Sequence, residues 1–143
     1  MNPDTLDALD LDAVDMEGGA NAGARCDLVH PTTGAPTGAW LQLLGADSDA
    51  YRERQRALQR KRMASVAKKW RLVLTPEEGE AEALDLLVAV TTGWGGLTAG
   101  GQPLAFSAEA ARALYTRRRW IREQAEEFIG DRANFLPKSA SSS

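Results

Sequence analysis

Apolar and polar positions divide the chain into strand-like and helix-like stretches. Two short runs, Arg25-Cys26-Asp27-Leu28-Val29-His30 and Ala39-Trp40-Leu41-Gln42-Leu43-Leu44, flank a segment rich in proline, glycine and threonine. That is the signature of a β-hairpin with a long loop, over residues 25–46. Two strands alone are marginal in water, so this hairpin must pack on helices or pair with another chain's sheet.

Beyond the hairpin the pattern becomes helical. Asp47 or Ser48 can cap a helix from Ala50 to about Trp70, a stretch that no proline or glycine interrupts. Its apolar positions Tyr51, Leu58, Met63, Val66 and Trp70 are sparse, which predicts a broad cationic face turned to solvent. Thr75-Pro76-Glu77-Glu78 reads as the next helix start, with threonine as cap, proline at the first helical position and Glu78 placed to close a capping box. Leu84, Leu87 and Val88 give that helix a buried face, and it is expected to end near Thr92, before Gly93. A glycine-rich connection follows, residues 93–103. Ser107 then caps a third helix through Tyr115, where Phe106 and Ala111 offer only a weak hydrophobic staple. The last helix is predicted from about Trp120 to Phe135, with Ile121, Ala125, Phe128 and Ile129 on one face and Gly130 testing its end. The fold class is mainly α within α+β: a helical domain with a short N-terminal β-hairpin and disordered ends.

The ends break the pattern. Residues 1–24 combine Asp4, Asp7, Asp10, Asp12, Asp15 and Glu17 with a Gly-Gly-Ala-Asn-Ala-Gly run, so they are expected to form a flexible acidic arm. The competing reading has Leu6, Leu9 and Val14 on one face of a short helix that folds on a partner. Residues 25–136 are expected to form a single compact domain, with helices over 47–136, and residues 137–143 a disordered polar tail. A length of 143 residues suits one domain able to bury a core without metal or disulfide support.

Charge and cysteine content narrow the function classes. With 17 basic and 20 acidic residues the net charge is -3, so no global attraction to nucleic acid is expected. Nine of the 17 basic residues nevertheless lie between Arg52 and Arg71. They surround the helix instead of forming one groove-facing edge, which favours a solvated face or an acidic protein surface over a phosphate backbone. The opposed charges of the arm and this helix suggest that the arm lies against it, in a contact that salt should weaken. Cys26 is the only cysteine, so one chain can build neither an internal disulfide nor a thiolate cluster, which fits a reducing, intracellular setting. The acidic start is the reverse of a secretory signal. The most apolar stretch, residues 81–90, contains Glu82 and Asp85 and is too short to span a membrane.

Candidate chemistry is sparse. His30 precedes Pro31 without a serine nucleophile in a recognisable elbow, and Cys26 falls in a strand with Leu28 on the same face, as a small hydrophobe would. The glycines of 93–101 lack the ending of a phosphate loop, and the acids of the arm lack the spacing of a calcium loop. No catalytic, cofactor-binding or metal-ligating residue is expected. The large aromatics Trp94, Phe106, Tyr115, Trp120, Phe128 and Phe135 are expected mostly in the core; the alternative for Phe135, with Leu136, is an exposed anchor at a frayed end. The candidate partner-binding residues are Trp94, Trp120, Phe128, Phe135 and Leu136.

The order and spacing of Trp94-Gly95-Gly96-Leu97, Gly101-Gln102-Pro103-Leu104, Phe106-Ser107, Leu114-Tyr115, Trp120-Ile121-Arg122-Glu123-Gln124, Phe128 and Asp131-Arg132-Ala133-Asn134-Phe135-Leu136 resemble a tail assembly chaperone family of long-tailed bacteriophages. The resemblance covers residues 94–138, and more loosely the stretch from His30-Pro31 to Tyr51. Residues 1–24 and 52–92 are outside it, and Arg119 stands where the family pattern often has proline. The resemblance implies a non-enzymatic factor of the host cell cytoplasm that binds the tape-measure protein, keeps its hydrophobic helices soluble and hands it to the major tail protein. Homo-oligomers are compatible with that role. The alternative is a structural virion protein at the tail end or the head-tail junction.

Overall fold

A three-stranded antiparallel sheet, in the order β1-β2-β3, forms one wall of the protein. Its strands are β1 (Ala24–Val29), β2 (Pro36–Leu43) and β3 (Thr91–Gly95). The computed structural model describes residues 8–69 and 75–136. The expected hairpin is therefore present, but β3 extends it into a sheet, drawn from residues expected to be a glycine-rich connection. Pairing sets Leu41 opposite Trp94 and Trp40 opposite Gly95. A Cβ on Gly95 would stand 2.6 Å from the Trp40 ring, so the glycine lets the indole lie across the strand.

Alternation sends Cys26, Leu28, Leu41 and Leu43 to one face, where all four are buried. Helices cover that face. They are α3 (Pro76–Val90), α4 (Ala108–Arg117) and α5 (Arg119–Gly130); α2 (Asp49–Lys69) packs on α3, and a short α1 (Met16–Ala22) precedes them. Ile121, Ala125 and Ile129 of α5 join the sheet residues in the core, with Leu87 and Val90 of α3 and Ala111 and Tyr115 of α4. The α+β class and its helical majority are as the sequence predicts.

Helix starts follow local chemistry. Thr75 accepts from the Glu78 amide at 3.2 Å and Glu78 returns a bond to the Thr75 amide at 2.9 Å, so the capping box is complete. Ser107 caps α4 through the Ala110 amide, and Ser48, fully buried, accepts from the Tyr51 amide at the start of α2. α5 begins at Arg119 without a side-chain cap.

Three expectations change. First, part of the acidic arm is ordered: Asp15 caps α1 through the Gly18 amide, and Ala20 is buried. The helix meets the turn after the last helix so closely that a Cβ on Gly19 would lie 1.9 Å from the Phe135 carbonyl oxygen. Second, the described acids of the arm do not run along the basic helix. Asp10 and Asp15 cap their own backbone, and α1 touches only the start of α2, where Asn21 accepts from the Asp49 amide at 2.8 Å. Leu9 and Val14 are exposed beside a 3-10 turn (Leu11–Val14), so they form no packed helical face. Third, the last helix stops at Gly130. Asp131 caps a 3-10 turn (Arg132–Phe135) that folds Phe135 back into the core at 5% exposure. Leu6, Trp70 and the expected tail over 137–143 lie outside the described residues.

Ion pairs tie the helices. Asp85 of α3 accepts from Arg54 of α2 at 3.1 Å and from Arg112 of α4 at 2.5 Å, and Arg62 pairs with Glu82. Burial pushes the Asp85 carboxyl up, but its bonds to Arg112 and Arg54 outweigh that and hold it below its ordinary value of 3.8. Asp47 grips Arg132 with both oxygens, at 2.7 and 2.6 Å, and is likewise held low by that bond.

Two outcomes are expected. Gly19→Ala should cost about 1–3 kcal/mol by overpacking and should free α1, raising protease cleavage within residues 8–22, read by urea denaturation and limited proteolysis. The lowered carboxylates stabilise the fold fully above about pH 4 and cease to do so as pH falls through their folded values. Thermal melts should therefore show an acid limb that Asp85→Asn flattens, at a cost of about 1 kcal/mol at neutral pH.

Candidate partner-binding surface

Residues of the stretch from Trp94 to Phe106 are bonded to one another. After β3 the chain makes a small hairpin of β4 (Thr98–Ala99) and β5 (Gln102–Pro103), with Gly100 and Gly101 at positive φ in its turn. The Trp94 indole N–H donates to the Leu104 carbonyl at 2.8 Å, and the Leu104 amide donates to the Leu97 carbonyl at 2.9 Å. Phe106 meets the Trp94 ring edge to face, with centroids 5.0 Å apart. Trp94 is thus a half-buried strut, paired beside Leu41 against the core.

α5 is fastened to the sheet by Gln124. Its side-chain oxygen accepts from the Val29 amide at 3.0 Å and its amide group donates to the Val29 carbonyl at 2.9 Å. A single side chain thereby occupies both backbone groups at the end of an edge strand. Tyr115 of α4 is buried on the same core. The Thr91 hydroxyl donates to the Leu87 carbonyl at 2.7 Å, so the Tyr115 hydroxyl, 2.8 Å away, is the donor to Thr91. Burial pushes the tyrosine up to about 12.

The five candidate residues do not form one patch. Trp120 stands at the start of α5 in a groove of about 550 Å³, which Leu97, Leu104, Leu114 and Ile121 also line and Arg118 borders. Phe128 and Phe135 pack edge to face, 5.4 Å between centroids, at the other end of the helix. Phe135 is buried and Leu136 half-buried, which favours the core reading of Phe135 and removes the alternative of an exposed anchor. Trp94 is held between Leu104 and Phe106.

Two surface features escaped the sequence reading. Trp40 lies on the outer face of the sheet, with the Arg25 guanidinium 4.1 Å from its ring centre. Ala39 and Leu41 point inward on either side of it, and this alternation was the available signal. The second is the run Arg117-Arg118-Arg119 between α4 and α5, exposed at all three positions.

The remaining reactive groups have structural surroundings. Burial, with Asp27 adding to it, pushes the Cys26 thiol up to about 11, far from a nucleophilic thiolate. His30 closes the hairpin loop: its Nδ1 accepts from the Thr32 and Thr33 amides at 3.2 and 3.3 Å, which requires the proton on Nε2 in the neutral ring. Among the described residues no group of three or more His, Cys, Asp or Glu side chains is arranged to hold a metal ion, and no helix is long and apolar enough to cross a membrane.

Comparison with protein-family models, with curated proteins and with solved structures finds no match to the chain.

Replacing Gln124 by alanine should leave the Val29 amide open to solvent. Its hydrogen exchange is expected to speed up by about tenfold or more, with Leu28 on the inner face much less affected.

Proposed function

We propose that the chain is a bacteriophage tail assembly chaperone, which binds the tape-measure protein in the host cytoplasm and keeps its apolar helices soluble until the tail tube closes around it. The observation that carries this reading is the ordered pattern from Trp94 to Leu136. The geometry lends support of a specific kind: residues of the pattern bond β3 to the stretch after the small hairpin, through Trp94 to Leu104 and Trp94 to Phe106, and α5 to β1, through Gln124 to Val29. A pattern that maintains a shared fold would fall on such positions.

In this reading the partner-facing surface is the outer face of the sheet. Trp40, backed by Gly95 and stacked by Arg25, is a rigid aromatic of the type that dominates protein interfaces. A face built around one indole gives weak contacts, and many copies along one long partner would multiply them.

Co-expression with the tape-measure product of the same genome is the test. The expected outcome is that the partner stays soluble and co-purifies with the chain, and that Trp40→Ala weakens retention by about tenfold while leaving the melting transition in place. Failure to form a complex, together with the chain's presence in purified particles, would replace this reading with that of a structural virion protein.

A further inference from the structure

The turn before α1 exposes apolar side chains that the molecule does not use. Leu9, Leu11 and Val14 are 71%, 73% and 45% exposed, interleaved with Asp10, Asp12 and Asp15. Scattered apolar residues on a surface need no explanation, but two leucines and a valine within six positions of an acidic turn make a compact adhesive segment. The groove at the start of α5 has the complementary character. Leu97, Leu104, Leu114 and Trp120 line it, Arg118 borders it, and Arg117 and Arg119 flank that arginine in the chain. None of the three arginines enters an ion pair among the described residues.

We propose that this groove receives the segment 9–15 of a second copy of the chain, with the leucines on the groove lining and the aspartates against the arginine run. Two rival seats fit the segment less well. The outer face of α2 is cationic, but Met63 is its only exposed large apolar side chain among the described residues, so it would leave the leucines in water. The depression between α3 and α4 has Arg112 and Arg117 beside Glu109, but Arg112 is already paired with Asp85 and the apolar lining is only Val88, Ala108 and Ala113, too small to cover two leucines.

The arrangement favours a neighbour's groove over the segment's own. α1 contacts the 3-10 turn that follows α5, whereas the groove lies where α5 begins. The 12 residues of α5 separate the two ends by about 18 Å. A contact in which one copy's segment fills the next copy's groove closes into a ring, of which the reciprocal two-fold pair is the smallest, or runs on as an open chain. An open chain of copies would suit an elongated helical partner. That extension rests on the chaperone reading, whereas the self-association does not.

Sedimentation velocity on the purified full chain tests the contact. The average mass should rise with protein concentration and fall as salt is added. Leu9→Ser with Leu11→Ser disables the segment, and Arg117→Glu with Arg118→Glu and Arg119→Glu disables the groove. Each variant should remain folded by circular dichroism and lose self-association by about a hundredfold. Mixed together they should form a one-to-one complex that grows no further, since one supplies the intact groove and the other the intact segment. A synthetic peptide of residues 1–15 should dissociate the parent assemblies, whereas a scrambled peptide should not, a measurement that needs no folded variant. A chain that is monomeric at every concentration, a variant that assembles like the parent, a mixture that stays monomeric, or a peptide without effect would each overturn the proposal. No tape-measure protein is present in these measurements, so their failure and the failure of the solubility test are separate results.

Discussion

A three-stranded sheet has one face to bury and edges to close, and in this protein α5 serves both needs. Its apolar stripe of Ile121, Ala125 and Ile129 lies in the core with the inward residues of β1 and β2, and Gln124 from the same helix holds the last residue of the edge strand. The two functions fix each other's geometry. A helix free to rotate on its stripe would pull the glutamine off Val29, and a helix free to slide would move Ala125 from a position with no exposed surface. The placement of α4 and of the closing 3-10 turn follows, because both are joined to α5 by very short connections.

The electrostatic arrangement is secondary and works between helices. α2 is too polar to be held by an apolar stripe alone: of its large apolar residues only Leu58 is fully buried among those described. Its attachment to α3 relies on Arg54 and Arg62 reaching Asp85 and Glu82, which spends part of the basic run on internal contacts. Exposed pairs of this kind contribute little one at a time, but Asp85 is shared with Arg112 of α4, so one partly buried carboxylate restrains three helices. Arg52, Arg56, Arg60, Lys61 and Lys68 of the run stay in solvent.

What was legible in the sequence was local chemistry. The caps at Thr75 and Ser107, the long uninterrupted α2, the hairpin strands and the stripe of α5 are all set within a few residues of chain. What was not legible depended on glycines used for close approach. Gly18 and Gly19 resemble a linker, yet α1 forms there because a residue without a side chain can rest on the Phe135 carbonyl; Gly93, Gly95 and Gly96 resemble a loop, yet β3 forms there because Trp40 needs the space above Gly95. Low intrinsic propensity was overridden by contacts that only glycine permits. The candidate site was read less completely. Trp120 does line a groove, and Phe135 is in the core, but the alternative of an exposed anchor stayed open in the sequence because the chain reversal at Asp131 that buries Phe135 involves contact with α1. Trp40 was passed over although the strand alternation around it was visible.

The outcome is a molecule whose surfaces differ by position along α5. At the helix start, small residues of the β4–β5 hairpin leave Leu97, Leu104 and Trp120 only partly covered, because the two-residue strands of that hairpin are too short to roof them. At the helix end, the equivalent apolar side chains, Phe128 and Phe135, are covered by α1 and by each other. The turn that precedes α1 carries exposed leucines, while the start of α5 carries an apolar groove bordered by arginine. These complementary features do not meet within the molecule, where Leu9, Leu11 and Val14 stay exposed. That separation is the physical reason for expecting this chain to act through contacts with other chains.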